Sequence, residues 1–196
     1  MKKIAFFVSS GLLLSSLFVP YLFTVFTAPQ YPDRSPKIYL YTDRLGGDVG
    51  EWKVVGRYIG VKVPPELPEF DLKIISVIIV FLSAFVSLSA FGSVRWKKTA
   101  SVILLVAGIS LAGWAQYRLY QAGHNLDPTA PMRYAVKPFT PPLIGIVKVH
   151  KITIYHLPHA GSILFGAATV LTLYAAWRGQ FRTNKNTNPP DQGESS

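Results

Sequence analysis

Residues 72–115 read LKIISVIIVFLSAFVSLSAFGSVRWKKTASVILLVAGISLAGWA: two apolar runs divided by a short basic link. The first, Leu72 to Val94, is rich in Ile, Val, Phe and Ser; the second begins near Thr99 and fades into Gln116, Tyr117 and Arg118. At 1.5 Å per residue, about 20 apolar residues cross the hydrocarbon core of a bilayer. Both runs meet that length with no charge in the middle, and Lys73 lies at an end where its stem reaches the interface. The link, Ser93-Val94-Arg95-Trp96-Lys97-Lys98, holds three basic residues and no acid, which makes it a cytoplasmic turn between two membrane helices.

Two further apolar runs flank this pair. Ile4 to Ala28 is interrupted only by hydroxyl residues, Gly11 and Pro20. It exceeds the roughly 7–15-residue core of a signal peptide, and Pro29 directly after Ala28 opposes cleavage, so an uncleaved anchor helix is expected. Leu157 to Trp177 is the fourth run, with Tyr174 and Trp177 as one aromatic belt; Trp114, Tyr117 and Tyr120 form another on the third helix. Composition agrees. Charged residues make up 15% of the chain against about 25% in a soluble protein. There is no cysteine, which excludes disulfides, thiolate metal sites, iron–sulfur clusters and dithiol redox chemistry.

Orientation follows from the cations. Lys2 and Lys3, the basic link, and Arg178, Arg182 and Lys185 all fall on one side of a four-span chain, placing both termini in the cytoplasm of a cytoplasmic (inner) membrane protein. The net charge of +10 is then explained by anionic lipid headgroups, and no basic face with interleaved aromatics calls for nucleic acid. Small residues at Ser76, Ser83, Ser87 and Ala90, and the pairs Gly108–Ala112 and Ser162–Gly166, let helix backbones approach closely. The expected fold is a mainly α membrane domain over 1–182, with helices about 4–28, 72–94, 99–118 and 157–177 and a disordered cytoplasmic tail at 183–196.

The outer loops, 29–71 and 119–156, are expected to fold together as a small β-containing cap. Lys37 to Thr42 alternates as a strand, Leu45 to Gly50 supplies a glycine turn, and Val54 to Val63 reads as a returning strand. Pro64 to Phe70 gives a stiff lead-in to the second helix, and Ile144 to Tyr155 a further strand.

All four histidines lie in or beside the second loop: His124, His150, His156 and His159. With a helix beginning near Leu157, His156 and His159 would share its first turn. Copper or zinc accepts imidazoles without sulfur, so His124, His156 and His159 with Asp127 form the candidate ligand set, and Asp48 is a further available carboxylate. Spacings of 26, 6 and 3 match no standard ligand motif, and interfacial histidines are ordinary at membrane helix ends. Catalysis is not expected. GxSxG, HExxH and phosphate-binding glycine motifs are missing, and a set of Ser162, His159 and Asp127 is unmarked by any motif.

Several strings stand together in one order: Ala28-Pro29-Gln30-Tyr31-Pro32, Gly47-Asp48-Val49, Tyr58-Ile59-Gly60, Pro68-Glu69-Phe70, Gly123-His124-Asn125-Leu126-Asp127-Pro128 and Pro141-Pro142-Leu143-Ile144-Gly145. In this the chain resembles a family of small four-helix membrane proteins encoded beside nitrous oxide reductase and its copper-maturation genes. The resemblance implies a non-catalytic accessory protein whose outer domain serves maturation of, or copper or electron supply to, a periplasmic redox enzyme. It departs at one place: the family reads Asn-His-Tyr-Ile-Gly-Met where this chain has Gly56-Arg57-Tyr58-Ile59-Gly60-Val61, so the histidine and methionine best suited to copper are replaced by Arg57 and Val61. The alternatives are a structural subunit of a larger membrane complex and a small transporter component. The latter is disfavoured because the runs carry no midplane charge and no broken-helix pair.

Overall fold

The computed structural model describes residues 2–29, 34–61 and 69–183. The proline-rich lead-in and the tail predicted from sequence lie largely outside these residues. The two central runs form a hairpin, but its turn comes earlier than expected: helices α3 (Glu69–Ser89) and α4 (Val94–His124) are joined by a tight turn in which Ala90, Phe91 and Gly92 donate to the carbonyls three residues back, and the basic residues Arg95, Lys97 and Lys98, expected in the link, lie in the first turns of α4. Helix α5 (Ala160–Thr183) is the predicted last helix. Among the described residues, three helices are long and apolar enough to cross a membrane: Leu72–Ser89, Val94–His124 and Ala160–Arg178.

The first apolar run departs from expectation. Helix α1 covers Lys2–Ser16 only, and Leu22–Thr27 is strand β1. Fifteen residues give about 22 Å of helix, short of a ~30 Å hydrocarbon core. The reason is local: Pro20 lacks an N–H and blocks helix continuation, and the Leu-Phe-Thr-Val-Phe-Thr that follows favours an extended backbone. The bundle thus has four packed helices, of which α1 is the short one. It packs between α3 and α5, burying Phe6 and Leu13 against Ile79, Val86, Ala168 and Ala175. In this apolar seam Ser10 and Ser83 clasp reciprocally: their hydroxyls are 2.8 Å apart and each also reaches the other's backbone carbonyl, at 3.1 and 3.2 Å. Gly108 of the predicted small pairs lies against Phe165, while Gly166 meets open space.

The predicted cap is a five-stranded antiparallel sheet built from β1, β2 (Lys37–Leu40), β3 (Leu45–Gly47), β4 (Gly145–Val149) and β5 (Ile152–Pro158), in the order β3-β2-β1-β5-β4. The β1–β5 ladder runs from Leu22↔Pro158 to Thr27↔Thr153. The expected returning strand at 54–63 is instead helix α2 (Val49–Ile59). Trp52, Val55, Gly56 and Ile59 recur at helical spacing, Glu51 and Arg57 suit the dipole at its two ends, and Gly60 closes it in the left-handed conformation with φ of 85°. Val55 and Ile59 pack with Phe26, Ile38, Ile152 and Ile154 into a second core, separate from that of the bundle.

The sheet sits at one end of the bundle. At that end Ser16 Oγ bonds to Tyr21 Oη (2.6 Å), Ser76 Oγ donates to Thr42 Oγ1 (2.9 Å), and Gly161 N–H donates to Pro20 O (2.8 Å). At the other end the cations meet aromatic rings: Lys3 Nζ is 5.3 Å from the Phe91 ring, Lys98 Nζ 4.9 Å from Trp177, and the Arg178 guanidinium 5.4 Å from Tyr174. Between the two ends a belt of apolar side chains faces outward, including Phe81, Leu88, Ile109, Ile163 and Val170.

Candidate functional site

Strand alternation decides where the histidines point. On β5, Ile152, Ile154 and His156 face α2 and the cap core, while Thr153, Tyr155 and Leu157 face away. His156 pairs across the ladder with Thr24, and Thr24 Oγ1 lies 3.0 Å from His156 Nδ1. The ring is 4% exposed, and burial lowers its pKa from the ordinary 6.5, so the imidazole is neutral at physiological pH. It borders a small cavity of about 60 Å³ whose other walls are apolar or glycine, among them Phe26, Trp52, Gly123 and Phe139. Among the described residues no carboxylate lines this wall, and the hydrogen-bond partner of His156 is the Thr24 hydroxyl.

His159 follows β5 on the opposite face of the sheet, not on a shared helical turn with His156. Its ring stands edge-on to Tyr39 (centroids 5.8 Å apart, 88°) and lies 6.2 Å from Phe23, on the face away from Thr24 and His156. Its Nδ1 is buried without a hydrogen-bond partner among the described residues. The main chain there starts α5: His159 N–H donates to Tyr21 O, and Ser162 Oγ lies 2.6 Å from Tyr21 O and 3.0 Å from His159 O. Ser162 therefore bonds backbone carbonyls rather than an imidazole, and the set with His159 and Asp127 is not assembled.

His124 ends α4. Its ring stacks on Tyr120 at 3.9 Å and Nδ1–H donates to Tyr120 O (3.0 Å), with the imidazole at the helix end where positive charge is favoured. The Asp127 carboxylate accepts from Thr129 N–H (2.8 Å) and Thr129 Oγ1 (2.6 Å), closing the turn after α4. Asp48 pairs with Arg34 (2.7 Å) and accepts from Lys37 N–H (3.0 Å), tying the start of α2 to the sheet. Among the described residues no three His, Asp or Glu side chains converge on a point that could hold a metal ion. The donor set at 124, 127, 156 and 159 is spread over a helix end, a turn and two faces of a sheet, and does not fit copper.

Three of the strings quoted above, at 58–60, 123–128 and 141–145, occupy backbone joints of the cap. Asp127 N–H donates to Gly60 O (2.8 Å) and Met132 N–H to Tyr58 O (3.2 Å), so the Tyr-Ile-Gly and Gly-His-Asn-Leu-Asp-Pro strings dock on one another. Phe139 N–H donates to Gly123 O (3.1 Å), and a Cβ on Gly123 would stand 2.0 Å from Phe139 O, so only glycine admits this crossing. Val61 packs against the cap core while Arg57 is exposed. One residue not marked by the sequence is central: Gln116 Nε2 donates to Pro141 O (2.9 Å) and its Oε1 accepts from Leu143 N–H (2.7 Å), holding the Pro-Pro-Leu segment to α4. A lone glutamine just past an apolar run was the available signal.

Compared with known proteins, the chain matches no family model, and no curated protein matches it.

Proposed function

We propose that this chain is a non-catalytic accessory protein of the cytoplasmic membrane that holds a β-sheet cap on the extracytoplasmic side for a protein partner. The observation that carries the reading is the separation of the molecule's two ends. Lys3, Lys98 and Arg178 gather at one, where anionic cytoplasmic headgroups would meet them, and the sheet is at the other. The cap's side chains favour docking over chemistry, since His124, His156 and His159 are engaged in packing and at a helix end rather than in a reactive cluster. On the family resemblance, the partner is a periplasmic redox enzyme during its maturation.

Reporter fusions test the orientation. Alkaline phosphatase joined after Tyr134 is expected to be active, and a fluorescent protein after the C-terminus to fluoresce in the cytosol. The reverse pattern would overturn the reading. Solubilisation in a mild detergent then identifies the partner: a peripheral periplasmic enzyme supports the accessory role, whereas a stable set of integral subunits makes the chain a structural member of their complex.

A further inference from the structure

Each bundle helix meets the cap after less length than a hydrocarbon core requires. On α4, Lys98 lies over Trp177 at the cation-rich end and Gln116 holds the cap; the two are 18 residues apart, or about 27 Å. On α5, Trp177 and Ala160 are 17 residues apart, or about 26 Å, and Gly161 N–H already donates to Pro20 O. Lys3 to Ser16 on α1, and Ser89 to Ser76 on α3, are each 13 residues, or about 20 Å, and Ser16 and Ser76 bond Tyr21 and Thr42 of the cap side. The hydrocarbon core is ~30 Å thick, and tilt shortens each reach further. With the cation-rich end at the cytoplasmic boundary, the orientation proposed above on which this inference rests, the base of the sheet meets the opposite boundary instead of standing clear of it.

The side chains at these junctions suit that level. Residues 16–23, 141–147 and 155–162 contain no Asp, Glu, Lys or Arg. What they present outward is apolar: Phe18 is 79% exposed, Ile144 58%, Ile146 64% and Leu157 47%. Ile163, in the first turn of α5 after Leu157, belongs to the outward belt of the bundle, so the apolar surface runs on from helix to sheet. Cations return only at the far end of the β4–β5 hairpin, at Lys148 and Lys151; Lys151 is seven residues, or about 23 Å of strand, from Pro158. At the α3 corner Asp43 and Arg44 bond each other at 2.9 Å, and the Arg44 guanidinium lies 4.7 Å from the Tyr41 ring, a cation–aromatic pairing suited to headgroup level.

Backbone groups at the junctions find their partners inside the protein. Pro20 O accepts from Gly161 N–H, Tyr21 O from His159 N–H and Ser162 Oγ, and Tyr21 N–H donates to Leu40 O. Gln116 takes both Pro141 O and Leu143 N–H. A zone with little water demands this internal pairing. The same rule limits the depth: β4 is an edge strand, and open sheet edges do not occur in lipid hydrocarbon, so the base belongs in the boundary zone, with apolar side chains dipping about 5–10 Å. We propose that the base of the sheet is seated in the membrane interface on the cap side, with Phe18, Ile144, Ile146 and Leu157 against lipid acyl chains and the Lys148–Lys151 tip in water.

The chain has no cysteine, so one introduced thiol labels one site. Phe18→Cys, Ile146→Cys and Leu157→Cys, with Ile109→Cys on α4 and Lys151→Cys at the tip as references, each carry a nitroxide in the full chain, reconstituted in vesicles of phosphatidylcholine and phosphatidylglycerol. Collision with oxygen, which concentrates in lipid, is compared with collision with a water-soluble nickel chelate. The three test labels are expected to favour oxygen over nickel severalfold more than the Lys151→Cys label does. Test labels that match Lys151→Cys describe a free-standing cap and overturn the proposal. Labels shielded from both reagents put a protein surface there and also overturn it. An Ile109→Cys label open to nickel refutes the membrane reading itself, so the two failures are told apart. The wild-type chain gives a second measurement that needs no substitution: photolysis in vesicles whose acyl chains carry a diazirine near the glycerol end is expected to tag Phe18, Ile144 or Ile146, and Leu157. Tags confined to the bundle helices overturn the proposal.

Discussion

Replacing Gly123 by alanine adds one methyl group where the structure has no room for it. The new Cβ would stand 2.0 Å from Phe139 O and 3.0 Å from Pro141 Cδ. Real Cβ contacts almost never fall under 3.0 Å, so the Phe139 carbonyl would have to retreat by at least 3.0 − 2.0 = 1.0 Å. That displaces the Phe139 N–H from Gly123 O and pulls on the segment that Gln116 holds at Pro141 and Leu143. Overpacking costs about 1–3 kcal/mol and the lost hydrogen bond about 1 kcal/mol, so a destabilisation of about 2–4 kcal/mol is expected. For a chain of this size that lowers Tm by roughly 4–16 °C, measurable by circular dichroism in mild detergent. Hydrogen exchange should locate the change at residues 137–146. Gly113→Ala is the control: it lies on the same helix with nothing within 4 Å of a new Cβ, and should be neutral or slightly stabilising. A Gly123→Ala protein within about 0.5 kcal/mol of wild type would refute the argument from close approach.

The neutral, buried His156 makes cap stability pH-dependent. Its folded pKa is below the 6.5 of the unfolded chain, so the unfolded state takes up the proton first; stability is intact above pH 6.5 and falls as pH drops below it. His156→Gln should flatten the difference between melting curves at pH 7.5 and pH 5, and an unchanged slope would show that another group is responsible. In the bundle, Ser10→Ala and Ser83→Ala remove halves of one clasp, so their effects should be coupled. A double-mutant cycle in detergent is expected to give an interaction energy of about 0.6–1.7 kcal/mol; additive effects would mean that the clasp contributes nothing.

The α3–α4 hairpin could be read in the sequence because hydropathy and positive charge report the same boundary, and Ser93 to Lys98 carries both signals. Helix ends were less legible. Hydropathy marks where a chain leaves hydrocarbon, not where it stops being helical, and α4 continues through Arg118 and Gln121 to His124. The same blindness joined α1 to β1, since Leu22 to Thr27 is as apolar as the helix before it and differs only in β-branched and aromatic content after Pro20. Losing β1 also hid the order of the sheet, because β1 is its central strand. At α2 the error was of period: Val54 to Val63 is β-rich in composition, but Trp52, Val55, Gly56 and Ile59 repeat at helical intervals. The expected shared turn of His156 and His159 was missed for a related reason. Placing a helix start at Leu157 put His156 and His159 on one turn, whereas β5 runs on to Pro158 and the two rings end on opposite faces of the sheet.

That central strand also bears on what the molecule can do. α1 enters β1 after a short turn at Pro20, β5 enters α5 through His159, and the paired strands β1 and β5 extend the packed helices α1 and α5 into the cap. The cap is tied again at Ser76–Thr42 on α3 and at Gln116 on α4, so each of the four bundle helices is connected to it. Swinging it aside as a gate would bend the α1–β1 and β5–α5 junctions at once and break the Gly161–Pro20 bond, the Gln116 clasp and the Ser76–Thr42 bond together, at about 1 kcal/mol net for each hydrogen bond lost. Among the described residues, the cleft between α3, α4, α5 and the sheet is lined mainly by carbon, with Tyr41, Thr42 and Ser162 as scattered polar groups rather than a row that would replace the hydration of a passing ion. Both arguments favour a fixed platform over a transport path, and a fixed platform is what the docking of a protein partner requires.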